Sequence, residues 1–331
     1  MSNAFVTYLV WIVRPLFEIL VVQIACALSI LLWVVRLPYV LYLGVRNGFY
    51  IGKEKPQEER EALQHQGRKK SVLITGASSG MGEALALYYA AEGATLALLG
   101  RNTERLKSVA ERCKDLGAEE VITGTTDVCD AQALRRWIID YDSAHPIDIL
   151  LCSAGVNLVT AIKSTPNYKD TLDERDLWEA FSTVVDINLV GTMNAVGAVV
   201  PLMKGRRRGT IAVFSSQAKL PTTGSYGASK GGVEIFGRSL RANLARYGIG
   251  VSVVVPGWVK SQMTDVLKDT KKPLCMTAES AAVAIANGLR LNQAMIRFPE
   301  TTSFISTFLW AVPSDIYHML WDNFAGYSMR Y

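Results

Sequence analysis

Histidine and cysteine are scarce in this sequence, and neither forms a metal-binding pattern. Three histidines and five cysteines are scattered over 331 residues, without the paired spacing of a zinc site or of a disulfide framework. We therefore expect no metal centre. An odd, scattered set of cysteines also favours reduced thiols in a cytosolic setting.

Long runs of charge are absent as well. The net charge is +5, and the basic runs at residues 68–70 and 206–208 are only three residues long. We interpret them as solvated loops, with anionic lipid headgroups as the next alternative and nucleic acid as a distant third, so no nucleic-acid partner is expected. Apolar residues make up 50% of the chain and charged residues only 20%, a balance that indicates a part in contact with a membrane.

The first fifty residues carry the longest apolar run. Residues 19–35 contain no charged side chain, and a spanning helix usually needs about 20 such residues. We favour a transmembrane helix over residues 17–36, with a hairpin or interfacial anchor over residues 4–45 as the alternative. A cleaved signal peptide is least favoured, because no basic segment precedes the run and no small-residue cleavage site follows it. Residues 1–50 are therefore assigned as a membrane anchor.

Basic residues around this run predict its orientation. Arg14 precedes it, and four basic residues follow it: Arg36, Arg46, Lys53 and Lys55. The positive-inside rule then keeps the rest of the chain in the cytosol. We expect a membrane location, with the endoplasmic reticulum as the compartment and the following domain facing the cytosol. Residues 51–70 are almost wholly polar and predict a charged linker.

Short apolar strands alternate with helices beyond residue 70. Strands are predicted at residues 71–74, 95–99, 120–124, 147–152, 210–214, 251–255 and 295–298, and helices at 83–92, 131–141, 177–200 and 277–291. This alternation predicts an α/β fold, a Rossmann-type doubly wound parallel sheet, in a single catalytic domain over residues 71–300. In such sheets, ligands bind beyond the carboxyl ends of the strands.

The first strand runs into a glycine-rich turn, residues 75–82 (TGASSGMG), and a helix follows it. Glycines allow a tight turn and let the backbone approach a pyrophosphate, and amides at the helix start bind the phosphate charge. The strand–turn–helix context therefore predicts a dinucleotide site. The residues assigned to it are Gly76, Ser78, Ser79, Gly80, Met81 and Gly82.

The end of the second strand indicates which dinucleotide binds. Sites that prefer NAD carry an acid there for the ribose 2′-hydroxyl, whereas an arginine accommodates the 2′-phosphate of NADP. This strand ends in Leu99-Gly100-Arg101-Asn102, with an arginine and no acid. We therefore predict NADP(H) as the cofactor and Arg101 as its phosphate contact.

Tyr226 and Lys230 form the candidate acid–base pair, a few residues after the serines Ser215 and Ser216. Positions i and i+4 of a helix lie on the same face, so an ammonium would lie beside a phenol. We expect the ammonium to lower the pKa of the tyrosine below its usual value of about 10. The tyrosine could then transfer a proton near neutral pH.

Taken in order, these motifs resemble the short-chain dehydrogenase/reductase family over about residues 70–265. The glycine turn matches the family's TGxxxGxG motif, and Tyr226 and Lys230 match its YxxxK motif. Further matching residues are Asp127, Val128, Ala154, Gly155, Asn188, Ser216, Pro256, Gly257, Val259 and Ser261. The chain departs from the family at Cys152-Ser153, where two asparagines are usual, and in the segment between Ser216 and Tyr226, which is about three residues shorter.

The resemblance implies hydride transfer between nicotinamide and a carbonyl or alcohol carbon. It implies that Tyr226 transfers the proton, that Lys230 stabilises the phenolate and binds the nicotinamide ribose, and that Asn188 holds a relay water. Ser216 would polarise the carbonyl oxygen, and Ser215 is its alternative because of the short segment. The other matching residues, with Tyr226 and Lys230, are implied to contact the cofactor.

The last residues bear on the substrate. Residues 264–274 are a polar loop where the family usually has its substrate lid. The extension at 301–331 is rich in bulky apolar residues, which favours a cap over the core, a homodimer contact or a membrane-facing rim that admits a lipid. We predict an enzyme, an NADP(H)-dependent reductase of a lipophilic ketosphingoid, steroid, retinoid or fatty carbonyl, similar to 3-ketosphinganine reductases or hydroxysteroid dehydrogenases. A catalytically idle membrane-bound scaffold and an NAD-dependent alcohol dehydrogenase are the alternatives.

Overall fold

The computed structural model describes the domain that follows the predicted linker. The described residues are 69–164, 174–218, 223–265, 272 and 274–299. The predicted anchor and the C-terminal extension lie outside the described residues, as do nearly all of the linker and much of the predicted lid. Their assignments stay predictions.

Seven strands form one parallel sheet in the order β3-β2-β1-β4-β5-β6-β7. They are β1 (Ser71–Thr75), β2 (Thr95–Leu99), β3 (Glu120–Gly124), β4 (Ile149–Cys152), β5 (Gly209–Phe214), β6 (Ile249–Pro256) and β7 (Met295–Phe298). The order of winding reverses between β1 and β4, and a crevice is expected at the carboxyl ends of these two strands. The structure thus confirms the predicted doubly wound α/β fold.

Helices cover both faces of the sheet. They are α1 (Gly80–Ala91), α2 (Thr103–Asp115), α3 (Ala131–Ala144), α4 (Leu158–Ser164), α5 (Glu174–Val185), α6 (Gly191–Arg206), α7 (Gly224–Leu244), α8 (Gln262–Asp265) and α9 (Ala278–Arg290). A π-helical turn, Asp186–Val190, joins α5 to α6, and a 3-10 turn, Ala245–Tyr247, follows α7. One core cluster lies under α1, α2 and α9, and the other lies under α3, α5, α6 and α7.

The predicted strands agree with the observed ones to within two residues at each end. Helix α2 was not predicted, because its sequence is dominated by charged residues. Its buried side chains nevertheless recur at helical spacing, at Leu106, Val109, Ala110 and Cys113. The pattern was therefore present, but it was outweighed by the low overall hydropathy of the segment.

One helical segment among the described residues, Leu177–Arg206, is long and apolar enough to cross a membrane. Half of the most apolar stretch of this segment is buried inside the domain. Ala195 and Val199, for example, belong to one of the two core clusters. The core helix of a soluble protein has the same length and composition. This segment is therefore weak evidence for a membrane location.

Candidate active site

The glycine turn after β1 provides the cradle for a phosphate. Gly76 and Gly80 have φ angles of +70° and +59°, in the left-handed region that favours glycine. A Cβ on Gly82 would lie 2.2 Å from the carbonyl oxygen of Gly76, so no side chain fits there. Ser79 precedes α1 without a side-chain hydrogen bond to it, which leaves first-turn amides available for an anion. These features fit the diphosphate of a dinucleotide.

The loop after β4 connects this cradle to the acid–base residues. A Cβ on Gly76 would lie 2.6 Å from Cα of Ala154, and one on Gly155 would lie 3.2 Å from Nζ of Lys230. The Ala154 amide also donates to the Thr75 hydroxyl, at 3.2 Å. The Ala-Gly pair thus permits two close approaches, one towards the glycine turn and one towards the lysine.

Asn188 lies fully buried in the π-helical turn between α5 and α6. Its Oδ1 accepts from the Val156 amide at 2.8 Å, and its Nδ2 donates to the Val156 carbonyl and to the Ser229 hydroxyl, both at 3.0 Å. The Ser229 hydroxyl donates in turn to the Tyr226 carbonyl at 2.8 Å. Asn188 therefore links the loop after β4 to the turn of α7 that carries Tyr226.

Ser229 was not predicted from the sequence. It occupies one of the unspecified positions between Tyr226 and Lys230, where the motif places no requirement on residue type. Only its burial, with 1% of its surface exposed, and its two side-chain hydrogen bonds reveal a role in holding this turn.

Lys230 is buried, with 5% of its surface exposed. Its Nζ donates to the Phe214 carbonyl at 2.9 Å and lies 5.9 Å from the centre of the Tyr226 ring. Burial lowers the pKa of Lys230 to about 8, because the charged form loses its hydration. The i, i+4 spacing therefore does place the ammonium beside the tyrosine.

The predicted effect on the tyrosine is wrong for the chain alone. Burial raises the pKa of Tyr226 above its usual value, and a hydrogen bond with Ser216 lowers it only in part. The ammonium of Lys230 is directed to the Phe214 carbonyl, and desolvation of the phenolate is the largest cause of the raised pKa. Tyr226 thus stays a protonated phenol at neutral pH, which is the form that donates a proton to a carbonyl.

The two serines after β5 have different partners. Ser215 donates its hydroxyl to the Lys230 carbonyl at 2.9 Å. Ser216 accepts from the Ala218 amide at 3.0 Å, and its hydroxyl lies near enough to Tyr226 to lower the pKa of that phenol. The structure therefore places Ser216, rather than Ser215, beside the phenol, although the segment between Ser216 and Tyr226 is short.

Arg101 and Asp127 lie together beyond the ends of β2 and β3. Arg101 Nη1 is 3.8 Å from Asp127 Oδ2, and 57% of the Arg101 side chain is exposed. Val128 is buried, and a Cβ on Gly191 would lie 2.5 Å from its Cγ2, so Val128 is wedged against the start of α6. The guanidinium is accessible to a phosphate, because its present ion pair is long and exposed.

The segment after β6 closes the other side of the site. The Pro256 carbonyl accepts from the Gln217 amide at 2.9 Å, and the Gly257 amide donates to the Phe298 carbonyl at 2.7 Å. Buried Val259 pairs with Met276. Ser261 lies further along, where its Cβ is 3.2 Å from the position of a Cβ on Gly80. Ser261 therefore lies against the glycine turn.

Comparison with known proteins identifies the family. The family model for short chain dehydrogenases matches residues 70–272. The chain is a short-chain dehydrogenase. An uncharacterized oxidoreductase from Myxococcus xanthus is 31% identical over 234 residues, which are 70% of this chain and 87% of the relative. An 11-beta-hydroxysteroid dehydrogenase 1A from Arabidopsis thaliana is 31% identical over 264 residues, which are 73% of this chain and 71% of the relative.

Solved structures of short-chain dehydrogenases share the fold. The enzyme from Sphingobium yanoikuyae in complex with NADPH covers 74% of this chain and 96% of its own, with a TM-score of 0.61 at 22% identity. The enzyme from Mycobacterium paratuberculosis bound to NAD covers 71% of this chain and 98% of its own, with a TM-score of 0.58 at 24% identity. This short-chain dehydrogenase is thus an oxidoreductase whose structural neighbours bind NAD or NADPH.

Substituting each serine of this dehydrogenase separately distinguishes their roles. Ser216→Ala removes the hydroxyl beside Tyr226 and is expected to lower kcat by roughly 10²-fold, as loss of an oxyanion donor does in other enzymes. Ser215→Ala removes a buried hydrogen bond to the backbone and is expected to lower stability by about 1 kcal/mol, with a much smaller effect on kcat. Steady-state kinetics and thermal unfolding of both variants measure this difference. A larger kcat loss in Ser215→Ala contradicts the assignment.

Proposed function

We propose that this short-chain dehydrogenase interconverts a carbonyl and an alcohol on a lipophilic substrate, with NADP(H), at a membrane. The observation that carries the chemistry is that the Ser216 hydroxyl and the buried ammonium of Lys230 both lie near the Tyr226 side chain. The name of the Arabidopsis relative supports a steroid-like substrate. Ketosphingoid, retinoid and fatty carbonyls share its low polarity and belong to the same proposal.

The nicotinamide, when bound, supplies or accepts the hydride. Tyr226 then donates a proton to the substrate oxygen, because its raised pKa keeps it protonated in the free enzyme. Ser216 polarises that oxygen by hydrogen bonding, and the charge on Lys230 stabilises the phenolate left behind. Asn188 holds the Tyr226 turn through Ser229, and its predicted relay water stays a prediction.

The cofactor would lie along the crevice between these groups. The glycine turn, including Ser78, Ser79 and Met81, would hold the diphosphate, and Arg101 would bind the 2′-phosphate. Asp127 and Val128 lie beyond β3 on the Arg101 side, where they would contact the adenosine. Ala154, Gly155, Lys230 and the residues after β6 would contact the nicotinamide half.

The preference for NADP(H) is tested by Arg101→Ala. Loss of one charge-assisted contact with the 2′-phosphate is expected to raise the Kd for NADPH by about 10-fold or more, while the Kd for NADH changes little. Fluorescence titration with both cofactors measures the two constants. Lys107→Ala, which removes an exposed cation from α2, serves as the control. Equal losses for NADPH and NADH contradict the 2′-phosphate contact.

The reaction itself is tested by NADPH consumption in detergent-solubilised full chain. The substrates are ketosphinganine, steroid ketones, retinal and fatty aldehydes, and we expect turnover with at least one of these classes. Absence of NADPH oxidation across the panel, with NADPH bound, favours a catalytically idle scaffold. Turnover confined to NAD and an alcohol favours the NAD-dependent alternative.

A homodimer belongs to the proposal as well. Trp178 on α5 and Ile235 on α7 are 71% and 66% exposed, and large apolar side chains at the surface support a protein contact. Light scattering of the detergent-solubilised chain measures its mass. The membrane location, the endoplasmic reticulum and the cytosolic orientation are proposed from the sequence, and fractionation with protease protection of the C-terminus tests them.

A further inference from the structure

Three basic side chains surround the ring of Tyr247, at the end of the sheet away from the catalytic residues. Lys204 Nζ lies 4.7 Å from the ring centre, Arg246 Cζ 5.1 Å and Arg207 Cζ 6.0 Å. Arg207 also donates to the Arg246 carbonyl at 2.8 Å. These four residues, the Tyr247 cluster, hold three positive charges around one aromatic ring.

The adjacent arginines show why these charges stand out. Arg206 forms a bidentate contact with Asp142, at 2.6 and 2.9 Å, and Arg208 lies 3.4 Å from Asp148. In the part of the chain that the structure describes, no carboxylate lies within ion-pair distance of the three cations in the Tyr247 cluster. The basic run at 206–208 is thus divided between two structural ion pairs and one arginine that belongs to the cluster.

Arg207 also has an unusual backbone conformation. It ends α6 with φ 51° and ψ 35°, in the left-handed region where glycine is the usual residue. A Cβ on Gly248 would lie 2.6 Å from the Arg207 carbonyl oxygen, so the two turns are tightly packed. An arginine is less favourable than glycine in this backbone conformation, but it adds a positive charge to the cluster.

The cluster lies at the edge of the sheet where the first strand of the domain begins. Arg207 precedes β5, Tyr247 precedes β6, and Ser71 begins β1. The starts of parallel strands lie at one edge of a sheet. Asp148 connects the two places, because it accepts from the Ser71 amide at 3.0 Å and pairs with Arg208. The first strand of the domain therefore begins at the same edge of the sheet as the three cations.

We propose that the Tyr247 cluster binds anionic lipid headgroups of the membrane that the N-terminal segment enters. The apolar run at 19–35 precedes strand β1 in the sequence. The cytosolic leaflet of a membrane carries a negative surface potential. Each basic residue at such a surface strengthens the attraction by about fivefold, and three together do so by roughly 10²-fold. The inference rests on the membrane location in the proposed function and is independent of the reaction.

The test compares the full chain in two kinds of nanodisc. One contains phosphatidylcholine alone, and the other contains phosphatidylcholine mixed with phosphatidylserine. Hydrogen–deuterium exchange is followed in peptides that cover residues 203–209 and 244–250. We expect slower exchange in the anionic nanodiscs, and we expect the difference to disappear at high salt, which screens exposed charges.

Two variants connect this protection to the cluster. A triple charge reversal, Lys204→Glu with Arg207→Glu and Arg246→Glu, is expected to abolish the lipid-dependent protection. Arg207→Gly removes one charge and suits the left-handed backbone, so it is expected to fold at least as well as the wild type while the protection weakens. This second variant keeps the test valid if the triple variant does not fold.

A matched reversal of three exposed cations, Lys114→Glu, Arg135→Glu and Arg136→Glu, changes the net charge equally and is expected to keep the protection. Equal exchange in both nanodiscs overturns the proposal, and so does protection that survives in Arg207→Gly and in the triple reversal. Protection by an RNA oligonucleotide but not by anionic lipid also overturns it. A chain that enters neither nanodisc overturns both the predicted membrane anchor and the proposed lipid-binding role of the Tyr247 cluster. Ketone reduction in detergent tests the proposed reaction separately.

Discussion

Tyr226→Phe is expected to lower kcat for carbonyl reduction by roughly 10²–10⁴-fold, the usual contribution of a positioned general acid. The substitution removes only the phenolic hydroxyl, whose pKa the nearby Ser216 lowers. The ring that lies beside Lys230 is kept, so NADPH is expected to bind as it does to the wild type. Single-turnover reduction of the best substrate from the panel, together with NADPH titration, separates the two effects.

Tyr247→Phe is the matched control for this variant. It also removes one phenolic hydroxyl from a partly buried tyrosine, but it does so at the opposite edge of the sheet. Its kcat is expected to equal that of the wild type. Retained turnover in Tyr226→Phe would falsify the assignment of the general acid, and loss of NADPH binding would point to a structural role for the hydroxyl.

Lys230→Met is expected to reduce kcat by roughly 10²–10³-fold, because the charge that stabilises the phenolate is lost. The same change is expected to stabilise the fold. The pKa of Lys230 is lowered from 10.5 to about 8, which corresponds to a burial penalty on the order of 3 kcal/mol at neutral pH. The Phe214 carbonyl loses its donor, which offsets about 1–2 kcal/mol, so a gain of about 1–2 kcal/mol remains.

The dependence on pH gives this prediction its sign. The folded chain holds the Lys230 proton less tightly than the unfolded chain does, so folding releases a proton between about pH 8 and pH 10.5. The free-energy cost of burying the charged Lys230 side chain is complete below pH 8 and decreases as the pH rises through that range. Denaturant unfolding is therefore expected to give a higher free energy of unfolding for Lys230→Met than for the wild type near neutral pH. This difference is expected to narrow at alkaline pH. Lys114→Met, at an exposed position, is expected to have the same free energy of unfolding as the wild type at each pH.

Much of the fold could be predicted from the sequence. Strands β1, β2, β4 and β6 are buried on both faces, so they appear as short apolar runs that stand out from the intervening polar segments. The glycine turn was recognisable because Gly76, Gly80 and Gly82 each meet a backbone or packing requirement that a side chain does not satisfy. Helix α2 was missed because its four buried residues lie within a highly charged segment.

The finer geometry of the site depended on contacts that spacing does not encode. The sequence placed Tyr226 and Lys230 on one helical face, but it did not show that the ammonium would bind the Phe214 carbonyl. It left Ser215 and Ser216 as alternatives, because adjacent residues on a loop have no fixed direction. The distinction came from tertiary packing, which directs the Ser215 hydroxyl to the Lys230 carbonyl and leaves the Ser216 hydroxyl near Tyr226.

The buried ammonium of Lys230 also bears on the evolutionary state of the chain. A lysine that weakens folding is retained by selection only while its charge serves a purpose, and mutation is free to replace it once that purpose ends. A lineage that had become a scaffold would gain stability from an apolar side chain of similar size at position 230. The presence of this lysine, beside an intact Tyr226 and Ser216, therefore argues that the chain is still under selection for chemistry.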